Sequence, residues 1–193
     1  ALLTALPLAA FAAEENYFLD EDWELLCDNT GTCRVAGYHA GIVDNDHFMS
    51  LLFEREAGEN AAVRGRIGLY ADNWPKHGSA PNQGELMVDG KSLGSIALNE
   101  ERTGGKVSKS NEGYDPAYGS LSAEQTEAVL KALDGGGKIT FQADNETWTL
   151  SNLGATAALT KMDARQGRVN TPSALIRRGT NKKAVPQATK KPV

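Results

Sequence analysis

The sequence predicts an α+β fold built on a largely antiparallel sheet. Short segments with the alternating pattern of half-buried strands account for most of the chain between Trp23 and Leu98. Two segments with helical spacing follow later, one after Ser122 and one after Gly154. Because the strands mostly precede the helices instead of alternating with them, an α+β arrangement is favoured over a parallel α/β sheet.

The first predicted hairpin carries the only two cysteines. Trp23–Cys27 and Cys33–Tyr38 are the two arms, and the five residues between them, Asp-Asn-Thr-Gly-Thr, are typical of a turn. Directly opposed residues of an antiparallel pair lie about 4.5–5.5 Å apart at Cα, a separation that a disulfide can bridge. We therefore predict a Cys27–Cys33 disulfide, which persists only outside the reducing cytosol.

Further strands are predicted from alternation and from turn residues. They are Phe48–Glu56, Val63–Tyr70, and Glu85–Lys91 with Leu93–Leu98 returning after an Asp-Gly turn. Residues 99–119 are polar, rich in glycine and without a clear period. A long surface loop is the prediction for that segment.

The C-terminal half is predicted to hold two helices on either side of a hairpin. Ser122 and Gln125 have the spacing of a capping box, and three consecutive glycines end the helix that they begin. The predicted elements are a helix from Ser122 to Gly135, strands Lys138–Gln142 and Thr147–Leu150, and a helix from 154 to 166.

The N-terminal residues 1–12 are apolar and end in an A-x-A pattern, Ala10 and Ala12, which is typical of a signal-peptide cleavage site. The stretch is too short to span a bilayer, and we predict no transmembrane segment elsewhere. We expect an initiator methionine and a basic region to precede residue 1. A periplasmic or secreted protein is therefore predicted, with a single domain at 13–179; the alternative is that residues 1–12 remain as an apolar tail.

Charge is distributed unevenly along the chain. Residues 173–193 hold six of the 20 basic residues and no acid, so 14 basic residues face 25 acidic ones before Ser173, a net charge of −11. The negative charge of the residues before Ser173 repels the phosphate groups of nucleic acids, and we therefore predict no nucleic-acid partner. Residues 180–193 form a basic, proline-containing tail or linker, either solvated or in contact with an anionic lipid surface or polymer.

Two sequence motifs support a family resemblance. The first, W-x3-C-D-N-T-x-T-C-R-x-A-G-Y, covers 23–38, and the second, K-M-D-x-x-Q-G-R-x-x-T-P-x-A-L, covers 161–175. Arg55-Glu56-Ala57-Gly58 and Trp148-Thr149-Leu150-Ser151 fall between them in the expected order. The chain resembles an exported proteobacterial family described only as a domain of unknown function. The resemblance implies an exported protein with a disulfide, no established reaction, and a further portion after the proline-containing stretch.

One group of residues has metal-ligand character: His39, Asp44, Asp46 and His47. Calcium loops require an Asp-x-Asp-x-Asp-Gly pattern with a later Glu, and zinc sites require a firmer spacing of their ligands. The group satisfies neither pattern and is interpreted as a turn. We predict no metal and no cofactor.

No catalytic motif is present either. Glu54 with Glu56, or the acidic run Asp20, Glu21 and Asp22, would serve in glycoside hydrolysis only if two carboxyl groups converged at the required separation. Trp23 and Trp148 are interpreted as core residues, with ligand stacking as the alternative. We predict no catalytic residue.

The best candidate for binding is a basic helix face. Lys161, Arg165 and Arg168 are spaced at i, i+4 and i+7 in an otherwise acidic body. Either this face binds an anion or a partner, or Arg168 donates to free carbonyl groups at the helix end.

The predicted function is therefore an exported, non-catalytic module that binds an unidentified protein or envelope polymer. Two alternatives stay open: an envelope hydrolase whose acids or histidines converge only in three dimensions, and the scaffold half of a longer two-part protein.

Overall fold

A computed structural model describes residues 16–41, 47–71, 80–100, 115–182 and 185–187. The predicted signal peptide lies outside these residues. Along the chain the elements are β1 (Tyr17–Asp20), β2 (Trp23–Cys27), β3 (Cys33–Tyr38), β4 (His47–Arg55), β5 (Val63–Ala71), β6 (Gln83–Val88), β7 (Lys91–Ala97), β8 (Asn99–Glu100), β9 (Asp115–Ser120), α1 (Ala123–Gly135), β10 (Ile139–Ala143), β11 (Glu146–Thr149) and α2 (Ala155–Arg165).

The strands form two antiparallel sheets where the sequence predicted one. The larger has seven strands in the order β1-β2-β3-β4-β5-β9-β8, and the smaller has four in the order β11-β10-β6-β7. Every strand pair in the described part of the chain is antiparallel. The α+β class and the two C-terminal helices are confirmed. None of the described helices has the length and apolar character needed to cross a bilayer.

The disulfide-linked hairpin is confirmed. Cys27 and Cys33 lie directly opposite each other, with their Cα atoms 4.1 Å apart and their sulfurs bonded. Asp28 closes the turn, because its Oδ1 accepts hydrogen bonds from the backbone N–H groups of Thr30 at 2.9 Å and Thr32 at 3.2 Å. Local chemistry therefore sets the register at this end of the larger sheet.

Replacing both cysteines with serine is expected to lower the free energy of unfolding by about 2 kcal/mol, because the bond closes a short loop and removes little chain entropy from the unfolded state. Urea denaturation of the double variant and of the wild type, with and without a reducing agent, measures this loss. Wild-type stability that is insensitive to reduction and equal to that of the double variant would contradict the prediction.

The core lies between the inner face of the larger sheet, the smaller sheet and both helices. Trp23 is fully buried and Trp148 is 7% exposed, so both tryptophans are core residues, as interpreted. The indole Nε1 of Trp23 donates to the backbone oxygen of Ser151 at 2.8 Å, and its ring stacks on Phe53. This hydrogen bond connects β2 with the segment that leads into α2.

Two local features fix where the helices begin. The predicted capping box is present at α1, where Ser122 and Gln125 exchange hydrogen bonds through their side chains and backbones. At α2 the N-cap is Gly154, with φ of +85° and its Cα against the backbone oxygen of Asp20. Only glycine fits there, since a Cβ would overlap that oxygen. The start of α2 is thereby held against the end of β1.

The predicted loop at 99–119 is wrong at both ends. β8 occupies Asn99–Glu100, and β9 occupies Asp115–Ser120 and pairs with β5 from Ala71 to Arg66. Ala117 and Gly119 are buried, and Gly119 packs closely on Ile96 of β7. Because β9 consists largely of small residues, its sequence shows little alternation between apolar and polar positions. Its position depends on contacts with β5 and β7, which are distant in the chain.

Candidate functional site

A surface cavity of about 560 Å³ lies between the edge strand β1 and helix α2. Its walls include Phe18 and Asp20 from β1, Thr156, Ala157 and Lys161 from α2, and Arg177 from the segment after α2. Gly154 brings the first turn of α2 against the end of β1, which is an edge strand of the larger sheet. The cavity is therefore a cleft beside a strand edge that pairs with no strand in the described part of the chain.

Two basic side chains, those of Lys161 and Arg177, line the cleft. Lys161 is half-buried and makes no ion pair or hydrogen bond with any described residue. Arg177 is held loosely by Asp134, at 3.8 Å, and its side chain is 66% exposed. Asp20 is the one acidic residue among the walls. The walls therefore hold two basic side chains and one carboxylate, and of the two basic side chains Lys161 is the one without an acidic partner among the described residues, so it is available to an anionic ligand.

The first turn of α2 also favours a negatively charged ligand in the cleft. It contains no acidic residue, and Gly154 offers no side chain to cap the free N–H groups. Unpaired N–H groups carry the positive end of the helix dipole, which favours negative charge nearby. Thr156 and Ala157 belong to this turn and line the cleft.

The structure does not bring the three predicted basic residues together. Lys161 lines the cleft and Arg165 is half-buried at the end of α2, whereas Arg168 lies beyond the helix and is 1% exposed. The helix ends at Arg165, and Gly167, with φ of +66°, turns the chain inward. Arg168 therefore cannot contribute to an exposed face, and it donates through Nη2 to a backbone carbonyl, that of Gly58.

A second polar group, centred on the buried Arg55 and Asp163 side chains, joins the end of β4 to α2 and to the segment after α2. The guanidinium of Arg55 donates to Asp163 Oδ1 at 2.6 Å, to Gln166 Oε1 at 2.6 Å and to the backbone oxygen of Ser173 at 2.9 Å. Asp163 Oδ2 in turn accepts from the backbone N–H of Leu175 at 2.8 Å. Arg55 and Asp163 are 2% and 3% exposed, so this ion pair is inaccessible to a ligand.

The same group connects the sequence motifs. Gln166 Nε2 donates to the backbone oxygens of Gly31 and Arg55, both at 2.9 Å. Gly31 belongs to the turn of the disulfide hairpin, and Arg55 and Gly58 belong to the end of β4 and the turn after it. Gln166 and Arg168 belong to the segment that directly follows α2. Segments more than 100 residues apart thus meet at one cluster.

A family model covers residues 17–193 and is described as a protein of unknown function, DUF1176. The chain belongs to the DUF1176 family. No curated protein is similar enough to match it. No solved structure matches either. The family assignment agrees with the resemblance carried by the two motifs and adds no activity to it.

In this DUF1176 protein, burial dominates the electrostatics of the motif cluster. Burial lowers the pKa of Arg55 and raises that of Asp163, and the hydrogen bond between the two opposes both shifts. Burial also lowers the pKa of Arg168. The cluster therefore incurs a desolvation cost that its internal hydrogen bonds must offset.

The two histidines of the group with metal-ligand character have separate partners. His39 Nδ1 accepts a hydrogen bond from the backbone N–H of Met49 at 3.4 Å, and His47 Nδ1 lies 3.2 Å from Glu146 Oε2. Asp44 and Asp46 fall outside the described residues. Among the residues that the structure does describe, no three His, Cys, Asp or Glu side chains are placed to hold a metal ion.

Glu54 and Glu56, the pair considered for acid–base catalysis, both form ion pairs with Arg64. Arg64 donates to Glu54 at 2.7 Å and to Glu56 at 3.0 Å, and Arg34 lies 2.6 Å from Glu54. These contacts hold the pKa of Glu54 below its usual range, the hydrogen bond from Arg64 contributing most. A general acid needs a raised pKa, so Glu54 is unsuited to that role.

Proposed function

We propose that this DUF1176 protein is an exported, non-catalytic binding module, and that the cleft between β1 and α2 receives carboxylate groups of a protein or envelope-polymer partner. The observation that carries the proposal is the Lys161 side chain, which lines the cleft of an acidic chain and has no ion-pair or hydrogen-bond partner among the described residues. A flexible ammonium group without an internal partner is available to a ligand at no cost in broken ion pairs.

Three properties of the cleft favour carboxylate ligands over neutral ones. Lys161 and Arg177 supply charge and hydrogen-bond donors, and the first turn of α2 supplies a positive helix end. The apolar side chains of Phe18 and Ala157 give a ligand a surface to cover. The free edge of β1 adjoins the cleft, so an extended chain has backbone groups to pair with as well.

Export is supported by the disulfide and by the apolar N-terminal residues. Disulfides such as Cys27–Cys33 are typical of oxidising compartments and rare in the reducing cytosol. A periplasmic or secreted location also places the module where envelope polymers occur. Export itself is tested by locating the protein in fractionated cells that express the complete reading frame.

Calorimetric titration tests the binding proposal, with polygalacturonate as a polysaccharide probe and poly-glutamate as a polypeptide probe. We expect saturable binding of one of them, and Lys161→Gln should weaken it at least about tenfold, the value of a charged hydrogen bond. Lys131→Gln is the matched control, since Lys131 is exposed on α1 and outside the cleft. Binding of neither probe, or equal losses in both variants, would refute the cleft as the site.

An activity assay tests the alternative that the protein is a hydrolase. The chain is incubated with glycan, peptide and ester substrates, and product is measured in the wild type and in Glu54→Gln. Turnover by the wild type that Glu54→Gln abolishes would overturn the non-catalytic proposal. Binding without turnover supports it.

A further inference from the structure

Arg168 is a buried cation with too few partners. Its side chain is 1% exposed, and its described hydrogen bonding consists of the one contact from Nη2 to the backbone oxygen of Gly58. Nε is buried and has no hydrogen-bond partner in the described part of the chain. A guanidinium has five N–H donors, and buried arginines are normally paired with carboxylates or other anions.

The surrounding charges do not compensate for it. Arg55 and Arg168 are both buried, and Asp163 is the one buried carboxylate of the cluster. Both oxygens of Asp163 already accept hydrogen bonds, from Arg55 and from the backbone of Leu175. Glu59 acts on Arg168 from a distance, but it is exposed and forms no ion pair with it. Counted over the described buried residues, the cluster therefore has one positive charge in excess.

The proline-containing tail packs on two glycines that adjoin the Arg168 side chain. Gln187 packs on Gly58, whose carbonyl accepts from Arg168, and Pro186 packs on Gly167, which precedes Arg168. Pro186 and Gln187 are themselves exposed, and no hydrogen bond links 185–187 to the remainder of the described chain. The cover is therefore held by contact alone.

We propose that the Arg168 guanidinium is a binding site for a small oxyanion, a carboxylate or a phosphate, which the tail residues 185–187 cover in this structure. Nε–H and a neighbouring Nη–H form the fork that binds two oxygens of such a group. An anion there neutralises the excess charge of the cluster, and its entry requires that Pro186 and Gln187 leave Gly167 and Gly58. The site is separate from the cleft and does not depend on the function proposed for it.

Nuclear magnetic resonance of the full chain tests this directly. Acetate and inorganic phosphate are titrated separately, with sodium chloride of equal ionic strength as the control. We expect one anion, and not chloride, to shift the Nε–H resonance of Arg168 saturably and to move the side-chain amide of Gln187 toward its unfolded position. Which of the two anions binds distinguishes carboxylate from phosphate.

Thermal unfolding gives an independent measurement. The binding anion should raise Tm by about 4 °C at ten times its Kd. Arg168→Gln should remove this response, whereas Arg178→Gln should retain it, because Arg178 is exposed and pairs with Glu127. If Arg168→Gln does not fold, the nuclear magnetic resonance titration of the wild type shows by itself whether Arg168 binds the anion. An Arg168 Nε–H signal unmoved by either anion beyond the chloride control would overturn the proposal.

Discussion

Replacing Asp163 with asparagine is expected to lower the free energy of unfolding by about 3–5 kcal/mol. The substitution preserves shape but leaves the guanidinium of Arg55, 2% exposed, without its counter-ion. It also places an amide group where Asp163 Oδ2 accepts from the backbone N–H of Leu175. Denaturant unfolding followed by tryptophan fluorescence measures the loss.

The matched control is Glu127→Gln, which breaks an ion pair of equally good geometry on the surface. Glu127 accepts from Arg178 at 2.8 and 2.6 Å, and the two side chains are 53% and 45% exposed. Solvent screening limits that loss to about 0–1 kcal/mol. The double variant Arg55→Met with Asp163→Asn should lose less than the sum of the two single losses. Equal losses in Asp163→Asn and Glu127→Gln would show that burial adds nothing to the pair.

Features with a local cause could be predicted from the sequence. The turn between the cysteines depends on an Asp side chain that bonds to backbone N–H groups two and four residues later. The capping box at Ser122 and Gln125 is equally local. In both cases the residues that determine the structure are within five positions of one another, and the sequence pattern therefore carries the whole signal.

Features that depend on distant contacts were missed. β1 has only four residues and is positioned by pairing with β2 and by Gly154, 134 residues after Asp20. β9 contains small residues that are strand-like only because β5 and β7 pack against them. A short stretch of sequence contains no information about packing partners that are distant in the chain.

In the candidate sites, too, local features could be predicted from the sequence, whereas features that depend on distant contacts could not. Lys161 was identified as a basic residue on the second helix, and the structure places it in the cleft. Arg177 was noted only as part of a basic run, since nothing local indicates that it reaches α2. Arg168 is the i+7 position of the predicted basic face, although the helix itself is predicted to end at 166. In the structure Gly167, a glycine with positive φ, follows the helix, and Arg168 is buried instead of exposed.

Replacing Trp23 with alanine is expected to lower the free energy of unfolding by about 3–5 kcal/mol. The side chain is fully buried, stacks on Phe53 and donates to the backbone oxygen of Ser151. The substitution leaves a cavity between β2 and the segment before α2, and it leaves that carbonyl without its donor. Urea denaturation followed by circular dichroism measures the loss, since this tryptophan is itself a fluorescent probe.

Gly37 provides the complementary test of the same contact. It lies directly opposite Trp23, and the indole ring covers its Cα so closely that a Cβ would overlap the ring. Gly37→Ala should therefore cost about 1–3 kcal/mol through overpacking. Gly135→Ala is the control, because a Cβ at the last residue of α1 meets no atom within 4 Å and alanine favours the helix. A stable Trp23→Ala variant, or equal effects at the two glycines, would mean that the ring is not packed against β3 and that Trp23 is free for a ligand.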